Sequence, residues 1–208
     1  MAHAPDGRPL HGAHVHLDRV VEDDVPGMLD ALGDPRVWAA GLGGGPTGQP
    51  RDAAAMHRWL GLDDPGDRVA YAVRLAVDSP LGPAGRIVGT TSLNETVLAD
   101  ERAHLGWTGY SPDVWGSVVN PECKLLLLGH AFEDCGLGRI KIQCDSANPR
   151  SAAAIARLGA TREGVLRRHK RRADGSFRDT ILFSVVVQEW PQVRDGLRAR
   201  LAGGRPTS

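Results

Sequence analysis

YSPDVWGSVVNPECKLLLLGHAF, residues 110–132, changes character twice and fixes how the surrounding elements connect. Tyr110 closes a strand-like stretch, and Trp115-Gly116-Ser117-Val118-Val119 reads as a short loop. A long apolar helix then follows, with Asn120 expected as N-cap, Pro121 at the first helical position and an end near Cys135. A helix start leaves backbone N–H groups unpaired and carries about half a positive charge, so this strand–loop–helix suits a phosphate or pyrophosphate. The same features occur at any strand–loop–helix junction, and Glu122 in the first turn would repel an anion unless it points away.

Upstream, His14 to Val20 alternates like a strand, and Glu22-Asp23-Asp24 opens a helix to about Leu32 with acids where the dipole favours them. Gly41 to Pro50 reads as a flexible loop and Arg51 to Leu60 as a second helix. Strands over Val69–Val77, Arg86–Leu93 and His104–Tyr110 follow, joined by connections too short for helical crossovers and therefore antiparallel. Downstream, Gly138 to Cys144 is a strand, and a helix begins at Asn148-Pro149-Arg150-Ser151 and ends at Gly159. Thr161–Arg168 and Phe177–Val187 form two further strands around the turn Ala173-Asp174-Gly175. The order β-α-α-β-β-β-α-β-α-β-β predicts an α/β fold, a mixed sheet with helices on its faces. Residues 1–13 are expected to be a disordered lead-in, 14–190 a single domain, and 191–208 a polar helix or tail.

Composition narrows the function class. Of 208 residues, 41% are hydrophobic, and Lys+Arg and Asp+Glu balance at 25 each. No overall charge draws the chain to nucleic acid or an anionic membrane, and no apolar run is long enough to span one. The start lacks the layout of a signal peptide, and three cysteines with no CxxC pair fit a reducing cytoplasm without structural zinc.

Three runs carry a family resemblance: Leu105-Gly106-Trp107, Trp115 through Glu122, and Leu125-Leu126-Leu127-Leu128-Gly129-His130-Ala131-Phe132. Together with Asn148-Pro149-Arg150-Ser151, Arg157-Leu158-Gly159-Ala160, Glu163-Gly164 and Arg178-Asp179-Thr180, they resemble the GNAT superfamily. Within it the likeness is to the branch containing the ribosomal-protein N-terminal acetyltransferases. The resemblance implies a mostly antiparallel sheet with two splayed parallel strands, near 104–110 and 138–144, holding acetyl-CoA between them. It implies pyrophosphate on Trp115, Gly116, Ser117, Val118, Val119 and Asn120, and pantetheine along Tyr110, Ser111 and Asn148. Ser151 becomes the candidate acid at the sulfur. The acceptor is a peptide or small-molecule amine attacking the thioester directly, with Trp38 and Trp107 on its side of the cleft. A homodimer is also implied. The alternative is a non-catalytic acyl-CoA-binding protein on the same fold.

Two positions depart from that pattern. Relatives carry glycine where this chain has Val118, and forcing a β-branched residue to positive φ would cost roughly 1–2 kcal/mol. Relatives also carry an acid where this chain has His104. An imidazole of ordinary pKa near 6.5 could replace it as base, or His104 could be a plain strand residue. A weak base suits an α-amine, about one in seven neutral at pH 7, better than a lysine, fewer than about one in a thousand.

Other signals carry less. Gly41-Leu42-Gly43-Gly44-Gly45 lacks the Lys-Ser/Thr of a phosphate-binding P-loop and reads as a loop bordering the acceptor side. His11, His14 and His16 could bind a metal, since 14 and 16 share a strand face, but no carboxylate or cysteine joins them at a useful spacing, so no metal is expected. The run Arg167-Arg168-His169-Lys170-Arg171-Arg172 reads as a solvated hairpin face, or as a guide for an acidic substrate or the 3′-phosphate of CoA. With no interleaved aromatic residue it does not suggest nucleic-acid binding. Cys123 and Cys144 read as core residues.

Overall fold

The computed structural model describes residues 1–39, 41–172 and 174–203. Eight strands form one sheet: β1 Leu10–His11, β2 Val15–Arg19, β3 Val69–Leu75, β4 Ile87–Val97, β5 Arg102–Tyr110, β6 Arg139–Asp145, β7 Thr161–Arg171 and β8 Phe177–Val186. Their order is β1-β2-β3-β4-β5-β6-β8-β7. Every neighbouring pair is antiparallel except β5 and β6, whose connection is long enough to hold a helix.

Six helices cover the sheet: α1 Val25–Leu32, α2 Pro35–Ala39, α3 Ala53–Leu60, α4 Val119–Gly129, α5 Pro149–Leu158 and α6 Trp190–Ala202. Period-two alternation in the strands divides the core. In β3, Tyr71, Val73 and Leu75 face a cluster that includes Val119, Cys123 and Leu127 of α4, Ile155 of α5 and Trp190 of α6. Ala70 and Ala72 face the opposite cluster with Met28, Leu32, Trp38, Met56 and Leu60 from α1, α2 and α3. α4 passes into a single π turn, His130–Asp134, where the sequence suggested uninterrupted α-helix to Cys135.

The N-terminal stretch differs from the expected disordered lead-in. Leu10 and His11 pair with Leu17 and His16, and the His3 N–H donates to the Cys135 carbonyl at 2.9 Å. Glu122 fastens the next residues. Its buried carboxylate accepts the N–H groups of Ala13, His14 and Val15 at 3.0, 2.7 and 2.7 Å. At the other end the expected polar helix or tail is a helix through Ala202, with Trp190, Val193 and Leu197 buried; 204–208, like Ala173 of the expected turn, lie outside the described residues. No helix among the described residues is long and apolar enough to cross a membrane.

Candidate active site

The parallel ladder joining β5 and β6 is short. It runs from Arg102↔Arg139 to Leu105↔Ile142, after which β5 continues to Tyr110 and β6 to Asp145 without pairing to each other. Both strands stay bonded on their outer edges, β5 to β4 and β6 to β8, so the sheet opens into a cleft between them. At the parting point β5 carries a bulge. Ser92 pairs with Gly106 but Thr90 with Gly109, and Trp107 takes φ 51°. A non-glycine residue held there costs of order 1–3 kcal/mol and turns the following side chains to new directions.

One mouth of the cleft is lined by the loop after β5. The N–H groups of Trp115 and Ser117 donate to the Pro112 and Val114 carbonyls, and the Val119 N–H donates to the Ser117 hydroxyl at 3.3 Å. Among the described residues the intervening N–H groups of Gly116, Val118 and Asn120 have no such partner, which leaves alternate donors at the start of α4. This is the pattern of an anion-binding nest. Gly116 has φ 74°, and a Cβ there would meet nothing within 4 Å, so the loop is open above it.

Two expectations about this loop change. Val118 lies in the right-handed region, φ −69° and ψ −15°, and carries no strain; the positive φ falls on Gly116 instead. Helix α4 starts at Val119, so Asn120 is already inside it and Val118 holds the N-cap position, while the Ser117 hydroxyl accepts the Val119 N–H. Glu122 points away from the loop, toward residues 13–15, which removes the repulsion anticipated from its position. Ser111 is buried and its N–H is taken by the Val88 carbonyl, while the Tyr110 carbonyl accepts the Trp115 indole N–H at 2.9 Å.

The opposite mouth comes from β6 and α5. Asn148 caps α5, its Oδ1 accepting the Ser151 N–H at 2.9 Å. Burial raises the pKa of the Cys144 thiol, and Ser151 lies close enough to that thiol to lower it in part. Ser151 therefore does flank the unpaired end of β6. Arg150 reaches across, its guanidinium carbon 3.6 Å from the Trp115 ring centroid, and links the two mouths.

On the face covered by α1–α3, buried polar groups collect. His104 is 4% exposed, and its Nδ1 lies 3.5 Å from Glu95 Oε1. Burial first, then the Lys141 ammonium, lowers its pKa to about 4, so the ordinary value near 6.5 does not apply and the ring is neutral at pH 7. Glu95, a bulged β4 residue at φ 51°, forms an ion pair with Lys141. Asn94, the register partner of His104, and Gln143, just past the last β5–β6 pair, each hold a buried amide oxygen without a hydrogen-bond partner. Both His104 ring nitrogens are likewise without a hydrogen-bond partner.

An aromatic shelf adjoins this patch. Arg68 stacks on Trp107 at 4.5 Å and Trp59 at 5.6 Å, and donates to Ser92 Oγ and the Trp59 carbonyl, both at 3.0 Å. Trp107 is 39% exposed on this side. Trp38 is not: it is fully buried, donates to the Leu32 carbonyl at 2.6 Å and packs behind Trp59 as core. The glycine-rich stretch forms two short 3-10 turns, Leu42–Gly44 and Pro46–Gly48, where an unstructured loop was expected. Leu42 approaches so closely that a Cβ on Gly109 of β5 would come within 2.6 Å of it.

Of the remaining signals, His11 and His16 touch across β1 and β2 with ring nitrogens 3.2 Å apart. Among the described residues no group of three or more His, Cys, Asp or Glu could hold a metal. The basic run divides: Arg172 pairs with buried Asp145 at 2.6 Å, Arg168 and Arg171 stack on Phe177, and the rest of β7 is largely exposed. Sequence reading missed Asn94, Glu95, Gln143 and Arg68, which join the site only through cross-strand pairing. It also missed Lys124, although a lysine three and four residues before the apolar Leu127 and Leu128 places a charge on the inward stripe of α4.

Comparison with known proteins gives the family and the fold. A family model described as an acetyltransferase (GNAT) domain matches residues 14–161. A Bacillus subtilis protein named "Putative ribosomal N-acetyltransferase YdaF" is 25% identical over 123 residues, 59% of this chain and 66% of that protein, just under two thirds of its length. The crystal structure of a "putative acetyltransferase from T. thermophilus" is 34% identical, covers 97% of this chain and 100% of its own, and superposes with a TM-score of 0.81. A GCN5-related N-acetyltransferase from Brucella melitensis, 24% identical over 96% of this chain and 88% of its own, shares the fold at a TM-score of 0.83.

Proposed function

The chain belongs to the acetyltransferase (GNAT) domain family, and from that premise we propose that it moves an acetyl group from acetyl-CoA directly to a primary amine. The observation that carries this reading is the cleft between β5 and β6 with alternate free N–H groups at one mouth. Those of Gly116, Val118 and Asn120 fit the pyrophosphate, and the open space above Gly116 leaves room for it. Acetyl-CoA supplies a thioester carbonyl open to attack by an amine. The unpaired edge of β5 beyond Leu105 offers backbone N–H groups toward the carbonyl oxygen, the usual means of stabilising an oxyanion.

On the acceptor side, His104 receives the amine's proton. The acid missing from the position of His104 is supplied by Glu95 of the neighbouring strand, whose Oε1 lies 3.5 Å from Nδ1, near enough to attract the ring once it is protonated. With a pKa of about 4 the imidazole is a weak base, but the adduct formed by attack is far more acidic than the free amine, and a weak base suffices. The same weakness favours an α-amine, on a peptide or a small molecule, over a lysine. The amide oxygens of Asn94 and Gln143 are suited to hold the amine's hydrogens. A non-catalytic ligand binder would have drawn support from strain at Val118 and from a missing acid, but Val118 is unstrained and Glu95 stands beside His104.

A thermal-stability titration with acetyl-CoA and desulfo-CoA, with ATP as control, tests the first half of the proposal. Ligand at about 100 times its dissociation constant should add roughly 2.7 kcal/mol. Thiol release with α-amine peptides and small amines then tests transfer. Binding without release of thiol from any amine would reduce the protein to a ligand binder.

A further inference from the structure

Lys124 is 7% exposed, and its ammonium donates to a single neutral group, Thr108 Oγ1 at 3.1 Å. That hydroxyl is itself shared with Thr91 Oγ1 at 2.9 Å. Arg74 meets Asp18 and Asp24, Arg172 meets Asp145, and Arg139 meets Glu163, while Arg68, also covered and without a carboxylate, is stacked on Trp59 and Trp107. Among the described residues no carboxylate pairs with Lys124, and that of Glu122, two residues earlier, is consumed by residues 13–15. A buried ammonium without a counter-charge is costly to keep. Burial alone brings its pKa down to about 8.

Its location gives the charge a use. Thr108 follows the Trp107 bulge on the part of β5 that has parted from β6, so the ammonium is tied to the strand that borders the cleft, on the α4 side. His104 lies within electrostatic reach on the opposite face of the same strand. A cation on one face and a neutral base on the other straddle the place where the strands separate.

We propose that Lys124 is a catalytic residue that stabilises the thiolate leaving acetyl-CoA, an inference that rests on the acetyl-CoA reading above. The amine nitrogen bonds to the carbonyl carbon, the carbon–sulfur bond breaks, and the electron pair stays on sulfur opposite the Lys124 ammonium. The amine's proton passes to His104 and from there to solvent, and the thiolate takes a proton from water on release. The thioester is uncharged, so Lys124 lacks a charged partner before the reaction and gains one as the bond breaks, which is selective stabilisation of the transition state.

A structural role for Lys124, propping the bulge through Thr108, makes different predictions. Lys124→Met keeps the length and removes the charge, Lys124→Arg keeps the charge, and Thr108→Val removes the prop. In calorimetry the wild-type protein is expected to bind CoA roughly tenfold more tightly than desulfo-CoA, and Lys124→Met to abolish that gap while leaving the desulfo-CoA affinity unchanged. The ultraviolet band of a thiolate should appear when CoA binds the wild type and be lost in Lys124→Met. Turnover should fall about 10²–10³-fold in Lys124→Met and much less in Lys124→Arg and Thr108→Val. An undiminished CoA–desulfo-CoA gap in Lys124→Met, or equal losses in Thr108→Val and Lys124→Met, overturns the proposal alone. Failure of the wild type to bind either CoA form overturns it together with its premise.

Discussion

The two sides of the cleft are built from different materials. The loop after β5 offers main-chain N–H groups at alternate positions, organised by Gly116, the Ser117 hydroxyl and the start of α4. The face beneath α1–α3 offers side chains, Asn94, Glu95, His104 and Gln143, drawn from three adjacent strands. A main-chain site depends on conformation and tolerates a change of side chain such as valine at position 118. A side-chain site depends on every identity and can relocate an acid from one strand to the next. The cofactor side of such a fold can therefore stay constant while the acceptor side diverges.

Mutations can break this comparison at both ends. The largest expected effect is at Glu122, which anchors the start of α4 beneath the main-chain site. Glu122→Ala leaves three N–H groups without their charged acceptor and should cost about 3–5 kcal/mol in denaturant unfolding, with Glu122→Gln recovering part of it. On the side-chain face, His104 is held below its unfolded pKa of 6.5, at about 4. Stability is therefore complete above about pH 6.5 and falls as the pH drops toward 4, by roughly 3 kcal/mol from this residue. His104→Leu should flatten that part of the pH–stability curve, and an unchanged curve would show that the ring is not held neutral. Gly116→Val forces a β-branched residue to positive φ and should weaken acetyl-CoA binding about tenfold or more. The smallest effect is expected at Val118→Gly, where affinity should change less than about twofold because no strain exists to relieve. A large gain there would mean that the valine obstructs the site after all.

Much of the fold could be read from the chain because strand alternation and helix caps are local. The strands around Val69–Leu75, Arg102–Tyr110 and Arg139–Asp145, and the helix after Asn148, lie close to where pattern and capping put them. Strand β1 was not legible, since two residues carry no period and their pairing depends on Leu17 and His16. The start of α4 was misjudged because Asn-Pro is a strong helix-start signal, whereas the helix already begins at Val119 with Val118 at the N-cap position. The cleft itself followed from family resemblance rather than from any period. Glu95 was out of reach of sequence reading: nine positions separate it from His104, and only the β4–β5 register and a bulge bring the two together. Trp38 shows the converse, an aromatic residue beside a glycine-rich loop that serves the core.

The short ladder between β5 and β6 also has a mechanical consequence. Among the described residues, four register pairs, 102–105 with 139–142, form the seam between an antiparallel block of β1 to β5 and a second block of β6, β8 and β7. A molecule lying in the cleft along both free edges acts as a removable strand, lengthening the seam while it is bound. Amide hydrogen exchange should register this as slowed exchange at 106–110 and 143–145 on ligand binding, with the paired outer strands unmoved. A ligand seated there would complete the sheet, leaving it most rigid while loaded and loosest along one line when empty.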